Sequence, residues 1–283
     1  MASGTCLCGS VRYELDEPFT LMGHCHCSMC RKHHGSLFVT WVGAPCGTFR
    51  WIAGQDNIDS FQSSEHGKRS FCRTCGSVTP TLIPQIDLAF LPAGSLMTEL
   101  GLKPQYHMFV GSKAPWYQIS DDLPQHATFP PPYESPGVAR PAVTAKAGVT
   151  QGSCLCGDVA FEFTGKAERV FNCHCSRCRR ARGAAHGTNM FVKPENFRWV
   201  RGEDRVVSYK LPEAKRFGQA FCKRCGSAAP RVVPQLGVAV VPAGPLDTDP
   251  GIQSQVHIFT ASKANWFDIS GSSPQFAELP PTL

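Results

Sequence analysis

Fifteen cysteines mark this 283-residue chain, and fourteen of them fall into three short spacings, each used twice. Cys6 and Cys8 form a C-x-C pair, Cys25, Cys27 and Cys30 a C-x-C-x-x-C set, and Cys72 and Cys75 a C-x-x-C pair. Cys154 and Cys156, then Cys173, Cys175 and Cys178, then Cys222 and Cys225 repeat the series. Cys46 has no counterpart and reads as a plain free thiol. An odd total excludes complete disulfide pairing within the chain. The start, Met1 to Cys6, has no charged segment followed by an apolar one, so no secretory signal is expected. The expected compartment is therefore cytoplasmic, where clustered thiols serve as metal ligands or catalytic groups.

The spacing suits zinc. A structural zinc ion takes four tetrahedral ligands, commonly thiolates at about 2.3 Å, and two close pairs from distant parts of a chain can supply them. Cys72-x-x-Cys75-Gly76 has the form of a zinc knuckle, in which the glycine permits the turn that aims backbone N–H groups at the sulfurs. Cys6-x-Cys8-Gly9 offers a second pair. A closed site of this kind can contribute roughly 10–16 kcal/mol of apparent binding energy to folding. Three cysteines then remain in each series, and three protein ligands with an open fourth position is the pattern of a reactive zinc site. Spacing alone leaves a second division open, in which the C-x-C of the middle set shares the tetrahedral site.

Two copies of one unit must position these residues. Gly4-Thr5-Cys6-Leu7-Cys8-Gly9 returns as Gly152-Ser153-Cys154-Leu155-Cys156-Gly157, an offset of 148 that also relates Phe49-Arg50-Trp51 to Phe197-Arg198-Trp199. Beyond a two-residue insertion between Gly202 and Cys222 the offset is 150, as in Pro92-Ala93-Gly94 and Pro242-Ala243-Gly244. Domains are expected at 1–133 and 149–283, joined by a linker at 134–148 rich in Pro, Ala and Gly. Alternating Val11–Leu15 and Val159–Phe163, with Tyr106–Val110, Val256–Thr260 and Val238–Val241, read as strands. Frequent Pro and Gly argue against long helices, so the expected class is all-β with little helix. With 42% hydrophobic and 18% charged residues the chain is expected to fold, and no apolar run approaches the ~18 residues of a membrane span.

Together these motifs carry a resemblance. C-L-C-G, C-H-C-S-x-C-R, F-C-x-x-C-G-S and H-x-F-x-x-S-K-A-x-W occur in both halves, and each half resembles the glutathione-dependent formaldehyde-activating enzyme family, which includes centromere protein V. The resemblance implies a zinc-dependent β-tent fold with two zinc sites per half, up to four ions in the chain. It implies a structural role for Cys6, Cys8, Cys72 and Cys75, and for Cys154, Cys156, Cys222 and Cys225. It implies a catalytic zinc on Cys25, Cys27 and Cys30, and another on Cys173, Cys175 and Cys178. The implied reaction is addition of glutathione, as co-substrate, to formaldehyde, or in the lyase direction cleavage of the carbon–sulfur bond of the adduct. A thiol filling the open position as thiolate could attack an aldehyde carbon held nearby. Three thiolates make the zinc electron-rich, which favours thiol activation over carbonyl polarisation.

Other residues divide between sharper and plainer readings. His26 and His174, set between ligands, suit supporting or exposed roles; His107 and His257 suit core or hydrogen-bonded ones. Arg177, Arg179, Arg180 and Arg182 could form an anion pocket or a nucleic-acid patch, but the plainer reading is a solvated loop that offsets thiolate charge. Lys113 and Lys263 fit a fold role and a ligand role equally. Domain 2 has Ser270-Gly271-Ser272-Ser273 where domain 1 has Ser120-Asp121-Asp122-Leu123, so the halves need not be equivalent. The net charge of +6 is unequal: 10 basic against 11 acidic residues through position 145, and 18 against 11 beyond it. Fourteen thiolates and four zinc ions would bring the whole chain near neutrality, which weakens the case for a nucleic-acid partner. The expected partner is a small-molecule thiol or aldehyde adduct. The rival readings are a zinc-stabilised binding module without chemistry and another small-molecule reaction on the same scaffold.

Overall fold

The structure is a computed structural model that describes residues 1–65, 67–131, 137–139 and 142–281. Of the linker expected at 134–148, residues 134–136 and 140–141 lie outside the described residues. The chain is mostly β, in two similar halves. In the first, Ala2–Thr5, Arg12–Leu15 and Phe49–Ala53 form a three-stranded antiparallel sheet. A five-stranded sheet runs in the order His107–Met108, Leu21–Cys25, Val39–Ala44, Leu88–Pro92, Thr81–Ile83, antiparallel except for the first pair. Ile58–Gln62 pairs with Lys68–Cys72. The second half repeats this plan with Val149–Ser153, Ala160–Thr164 and Phe197–Arg201 in one sheet. A sheet ordered Arg231–Val233, Val238–Pro242, Gly187–Val192, Arg169–Cys173, Val256–Ile258 forms the other large layer.

Alternation explains the strands. In Arg12–Leu15 the apolar Tyr13 and Leu15 are buried while Arg12 is exposed, the period-2 pattern of a sheet with one face on a core. Strands expected at Tyr106–Val110 and Val256–Thr260 are shorter, His107–Met108 and Val256–Ile258. The two-residue insertion falls in a hairpin: residues 63–67 join its strands in the first half, and residues 211–217 in the second.

Two seven-residue helices, α1 (Ser28–His34) and α2 (Ser176–Arg182), begin after the second cysteine of each middle set and carry the third, Cys30 and Cys178. Helices this short are marginal alone, so their ends and their packing must hold them. Cys27 caps α1 by accepting the Cys30 N–H at 3.2 Å, and Gly35 closes it in the left-handed region, at φ 73°, with its N–H on the Arg31 carbonyl. Cys175 and Gly183 do the same for α2. Basic residues in each last turn complement the helix dipole.

The halves interlock. Each helix end lies against the Pro-Ala-Gly turn of the other half: a Cβ on Gly94 would come within 2.2 Å of the Ala184 carbonyl oxygen, and one on Gly244 within 2.2 Å of the Arg31 carbonyl oxygen. Only glycine fits such an approach of backbone to backbone. The cores are exchanged as well. Ala185, Ala264 and Trp266 of the second half pack with Tyr13, Leu15, Met22 and Val42 of the first, and Leu37 and Ala114 pack with Phe161, Phe163 and Val192 of the second. Arg31 donates to the Gly244 carbonyl at 3.2 Å and stacks over Trp116. Lys32, 5% exposed, forms an ion pair with Asp247 at 2.6 Å across the same interface.

Candidate metal centres and active site

Four groups of thiols converge. Cys6, Cys8, Cys72 and Cys75 have all their sulfurs within 4.8 Å of one another, as do Cys154, Cys156, Cys222 and Cys225. The three-membered groups Cys25, Cys27, Cys30 and Cys173, Cys175, Cys178 meet the same limit. The alternative division, with the middle C-x-C in a tetrahedral site, does not match these groups. Cys46 joins none of them; its N–H donates to Asp87.

The four-thiol groups form where a sheet hairpin meets the start of each half. Cys6 and Cys8 flank the turn after the first strand, and Cys72 ends the strand Lys68–Cys72. The knuckle turn carries Gly76 at φ 70° and Gly226 at φ 66°, with the Gly76 N–H on the Cys72 carbonyl and the Gly226 N–H on that of Cys222. The Val11 N–H points at the Cys6 sulfur at 3.3 Å, and the Val159 N–H at the Cys154 sulfur at 3.2 Å. Ser77 accepts the Leu7 N–H and lies 3.3 Å from the Cys75 sulfur, an arrangement repeated by Ser227, Leu155 and Cys225.

The donor chemistry fits zinc. Four ligands at about 2.3 Å in a tetrahedron place their sulfurs about 3.8 Å apart. The separations are 3.4 Å for Cys6–Cys8, 3.8 Å for Cys8–Cys72, 3.4 Å for Cys154–Cys156 and 3.7 Å for Cys156–Cys222. In the three-thiol groups Cys25–Cys30 and Cys173–Cys175 are each 3.5 Å apart. Such close thiols cannot all ionise unaided. Burial pushes the Cys25 thiol well above its ordinary value, while hydrogen bonding with Cys175 pushes Cys173 up to about 12 and draws Cys175 down to about 3. A divalent cation removes that conflict.

Histidines support the three-thiol groups. His26, fully buried, bonds His107 at 2.8 Å between Nε2 and Nδ1, and His107 bonds Asp121 at 2.8 Å. His174 and His257 form the same 2.8 Å pair in the second half. There Gly271 stands where Asp121 stands, so that pair has no carboxylate from this segment. The exposed role considered for His26 and His174 is thereby corrected: both are buried and hydrogen-bonded. Burial holds His174 down at about 3 and His26 well below its ordinary value, so both rings are neutral. Partial burial works against ionised Asp121, but the His107 hydrogen bond, the Leu123 N–H and attraction to His107 and His24 together outweigh it and hold the carboxyl below its ordinary value. Sequence reasoning marked the acidic pair as a difference between halves but did not assign Asp121 to His107.

The arginine cluster is a second correction. Arg177 is exposed, but Arg179 and Arg180 are partly buried on α2 and Arg182 is 9% exposed. A solvated loop does not describe them, because α2 packs against the first half. Lys113 and Lys263 take the fold role, donating to the Tyr117 and Phe267 carbonyls. Arg69 was missed altogether. Burial opposes its charge, but attraction to Cys30, Cys27 and Cys25 outweighs this and holds its pKa above the ordinary value. Its counterpart is Gln219, whose amide donates to the Cys75 carbonyl of the other half. One cue was available: Arg69 precedes the F-C-x-x-C motif where the second copy has a neutral residue.

The first three-thiol group opens into a cavity of about 1260 Å³. Its walls come from both halves: Met29, Trp41, Phe90 and Arg69 from the first, and the loop Ser153 to Gly157 from the second.

The family described as glutathione-dependent formaldehyde-activating enzyme matches residues 1–112 and again residues 149–262. The chain belongs to this family. A similar curated protein is an uncharacterized lyase of Schizosaccharomyces pombe (strain 972 / ATCC 24843), 29% identical over 76 residues, 26% of this chain. The chain spans about half of that relative, 52% of its length. A crystal structure of a Rhodobacter sphaeroides protein matches at 27% identity and a TM-score of 0.30, over 35% of this chain and 90% of that one. Among the described residues no helix is long and apolar enough to cross a membrane.

Proposed function

We propose that this chain is a zinc-dependent carbon–sulfur lyase acting on a glutathione–aldehyde adduct of the S-hydroxymethylglutathione kind, with Cys25, Cys27 and Cys30 at the working site. The observation that carries the reading is the contrast between thiol groups. Each four-thiol group already offers a full tetrahedral set, whereas Cys25, Cys27 and Cys30 are buried thiols with no fourth cysteine in their group and line a cavity large enough for a thiol conjugate, a cavity whose wall also includes Cys154 and Cys156. In this reading Cys6, Cys8, Cys72 and Cys75, and Cys154, Cys156, Cys222 and Cys225, hold zinc for folding. Cys173, Cys175 and Cys178 hold it at the second three-thiol site. The domains at 1–133 and 149–283, the linker between them and a cytoplasmic location belong to the same proposal, the last supported by fifteen cysteines all free of disulfides.

In the lyase direction the carbon–sulfur bond breaks, its electron pair stays on sulfur as the thiolate, and the adduct hydroxyl gives its proton to solvent water as the aldehyde C=O forms. Bound by the three thiolates, zinc supplies a lowered pKa for the departing thiol. The Arg69 guanidinium offsets the negative charge of the sulfurs. The His26–His107–Asp121 chain fixes the backbone segment on which Cys25 and Cys27 sit. Loop Ser153 to Gly157 of the second half walls the cavity, so the site requires both halves. Exchange between formaldehyde, glutathione and their adduct, followed by NMR with purified zinc-loaded protein, should run faster than the uncatalysed exchange. A rate equal to the uncatalysed one sinks the formaldehyde reaction.

A further inference from the structure

The first three-thiol group lines a cavity with an apolar wall whose residues the second half does not repeat, although Phe171, Phe191, Phe217 and Phe259 pack around the second group from other positions. In the first half the wall includes Met29, Trp41, Phe90 and Phe129. The corresponding positions of the second half are Arg177, Asn189, Val240 and Leu279. The sheet pairing supports the equivalence: Trp41 lies opposite Pro92 and Asn189 opposite Pro242. Trp41 meets Phe90 edge to face with ring centroids 5.9 Å apart, and both pack against the thiol cluster with Tyr106 and Phe129. Leu82 and Ile86, 37% and 59% exposed, continue the apolar surface to the cavity mouth. The polar and charged groups Gln62, Lys68 and Arg69 line another part of it.

A hydroxymethyl group is one carbon and would leave this aromatic wall without a partner. Ligand pockets run to about 300–1,000 Å³ and bury most of the ligand's surface. At about 1260 Å³ this cavity exceeds the need of a one-carbon adduct. We propose that the first-half site selects thiol conjugates whose sulfur carries a bulky apolar group, an aromatic or medium-chain aldehyde adduct, with Trp41 and Phe90 as the selecting residues. The proposal rests on the reading of this site as one for thiol conjugates. The charged tripeptide portion would face Lys68 and Arg69, and the apolar group would face Trp41.

Stable thioethers test this without turnover. Calorimetry on the full zinc-loaded chain should find S-benzylglutathione bound at least tenfold more tightly than S-methylglutathione, as burial of several additional apolar carbons requires. Trp41→Asn, which installs the residue the second half carries, should reduce that ratio to about threefold or less. Tryptophan fluorescence and zinc content should report an otherwise folded chain, and Phe90→Val supplies a second variant with the same expected loss of preference. Equal binding of the two thioethers overturns the proposal, as does a preference that survives both substitutions. The readout separates this proposal from the lyase reading. Selective thioether binding without adduct exchange removes the reaction and keeps the selectivity. Exchange of the formaldehyde adduct without thioether preference keeps the reaction and removes the selectivity.

Discussion

The helix that carries the last cysteine of each three-thiol set makes the plainest comparison between the halves. α1 carries His33 and His34 where α2 carries Ala181 and Arg182, and the chain His26–His107 ends on Asp121, whose equivalent position after the His174–His257 pair is Gly271. The thiols themselves differ little: each set spans the same spacing and each caps its helix with the second cysteine. The thiol geometry is thus present twice, while the groups that would meet a ligand or hold the imidazoles differ. Retention of ligands does not make two sites chemically equivalent.

The largest effects should come from the four-thiol groups. Cys72→Ser should unfold the first half and release zinc, removing a contribution of the order of 10 kcal/mol. Cys27→Ser should keep far-ultraviolet circular dichroism near that of the parent chain and abolish adduct exchange. Chelator titration followed by circular dichroism and metal analysis ranks the sites, and equal unfolding by the two substitutions would merge the roles assigned to them.

Next in size is the ion pair that joins the halves. Asp247→Ala leaves the buried Lys32 ammonium without its counter-charge, held only by the Ser153 carbonyl and hydroxyl, and should cost about 3–5 kcal/mol in denaturant unfolding. The double variant Lys32→Met with Asp247→Leu should recover most of that loss. A single loss below about 1 kcal/mol would mean that the lysine finds water or another partner. Its second-half counterpart, Arg180→Met, should have a smaller effect, since Met97 occupies the position equivalent to Asp247.

Acid should distinguish the helices. Burial holds His33 down at about 4 and His34 at about 3, against an ordinary value of 6.5. Between those values the unfolded chain binds protons that the folded one does not. Stability should therefore fall as pH drops from about 6.5 toward 4, by up to about 3 kcal/mol for His33. His33→Ala, the residue of α2, should flatten this slope even where it lowers stability at neutral pH. An unchanged slope across pH 4–6.5 would assign acid sensitivity elsewhere.

The smallest expected effect is on rate. Asp121→Gly, which makes the first half like the second, should slow adduct exchange about tenfold with little change in unfolding midpoint, the usual scale for a residue that orients a group beside a metal site. Asp121→Asn, which can still accept a hydrogen bond, should recover part of the rate.

Much of the site was legible because thiol spacing is a local code, and Cys72-x-x-Cys75-Gly76 carries its turn with it. Strands such as Arg12–Leu15 were legible from alternation. The helices were not: seven residues hold too little periodicity, and their N-caps are cysteines rather than the usual Ser, Thr, Asp or Asn. The interlocking was hidden for a different reason. A repeat tells which residues correspond, not which touch, so the Gly94 turn could not be matched to α2, nor Trp266 to the core around Leu15. Arg182 read as solvated because the surface that covers its helix comes from the other half.

The near-symmetric interlock has a consequence for how such a molecule can change. Two identical chains paired about a twofold axis must carry every substitution twice, so an aspartate on one copy obliges an aspartate on the other. Within a single chain, Asp121 and Gly271 are separate codons facing one shared interface, where Ser120 and Ser270 still meet at 2.6 Å. Covalent joining thus lets one copy serve as scaffold while the other is free to specialise.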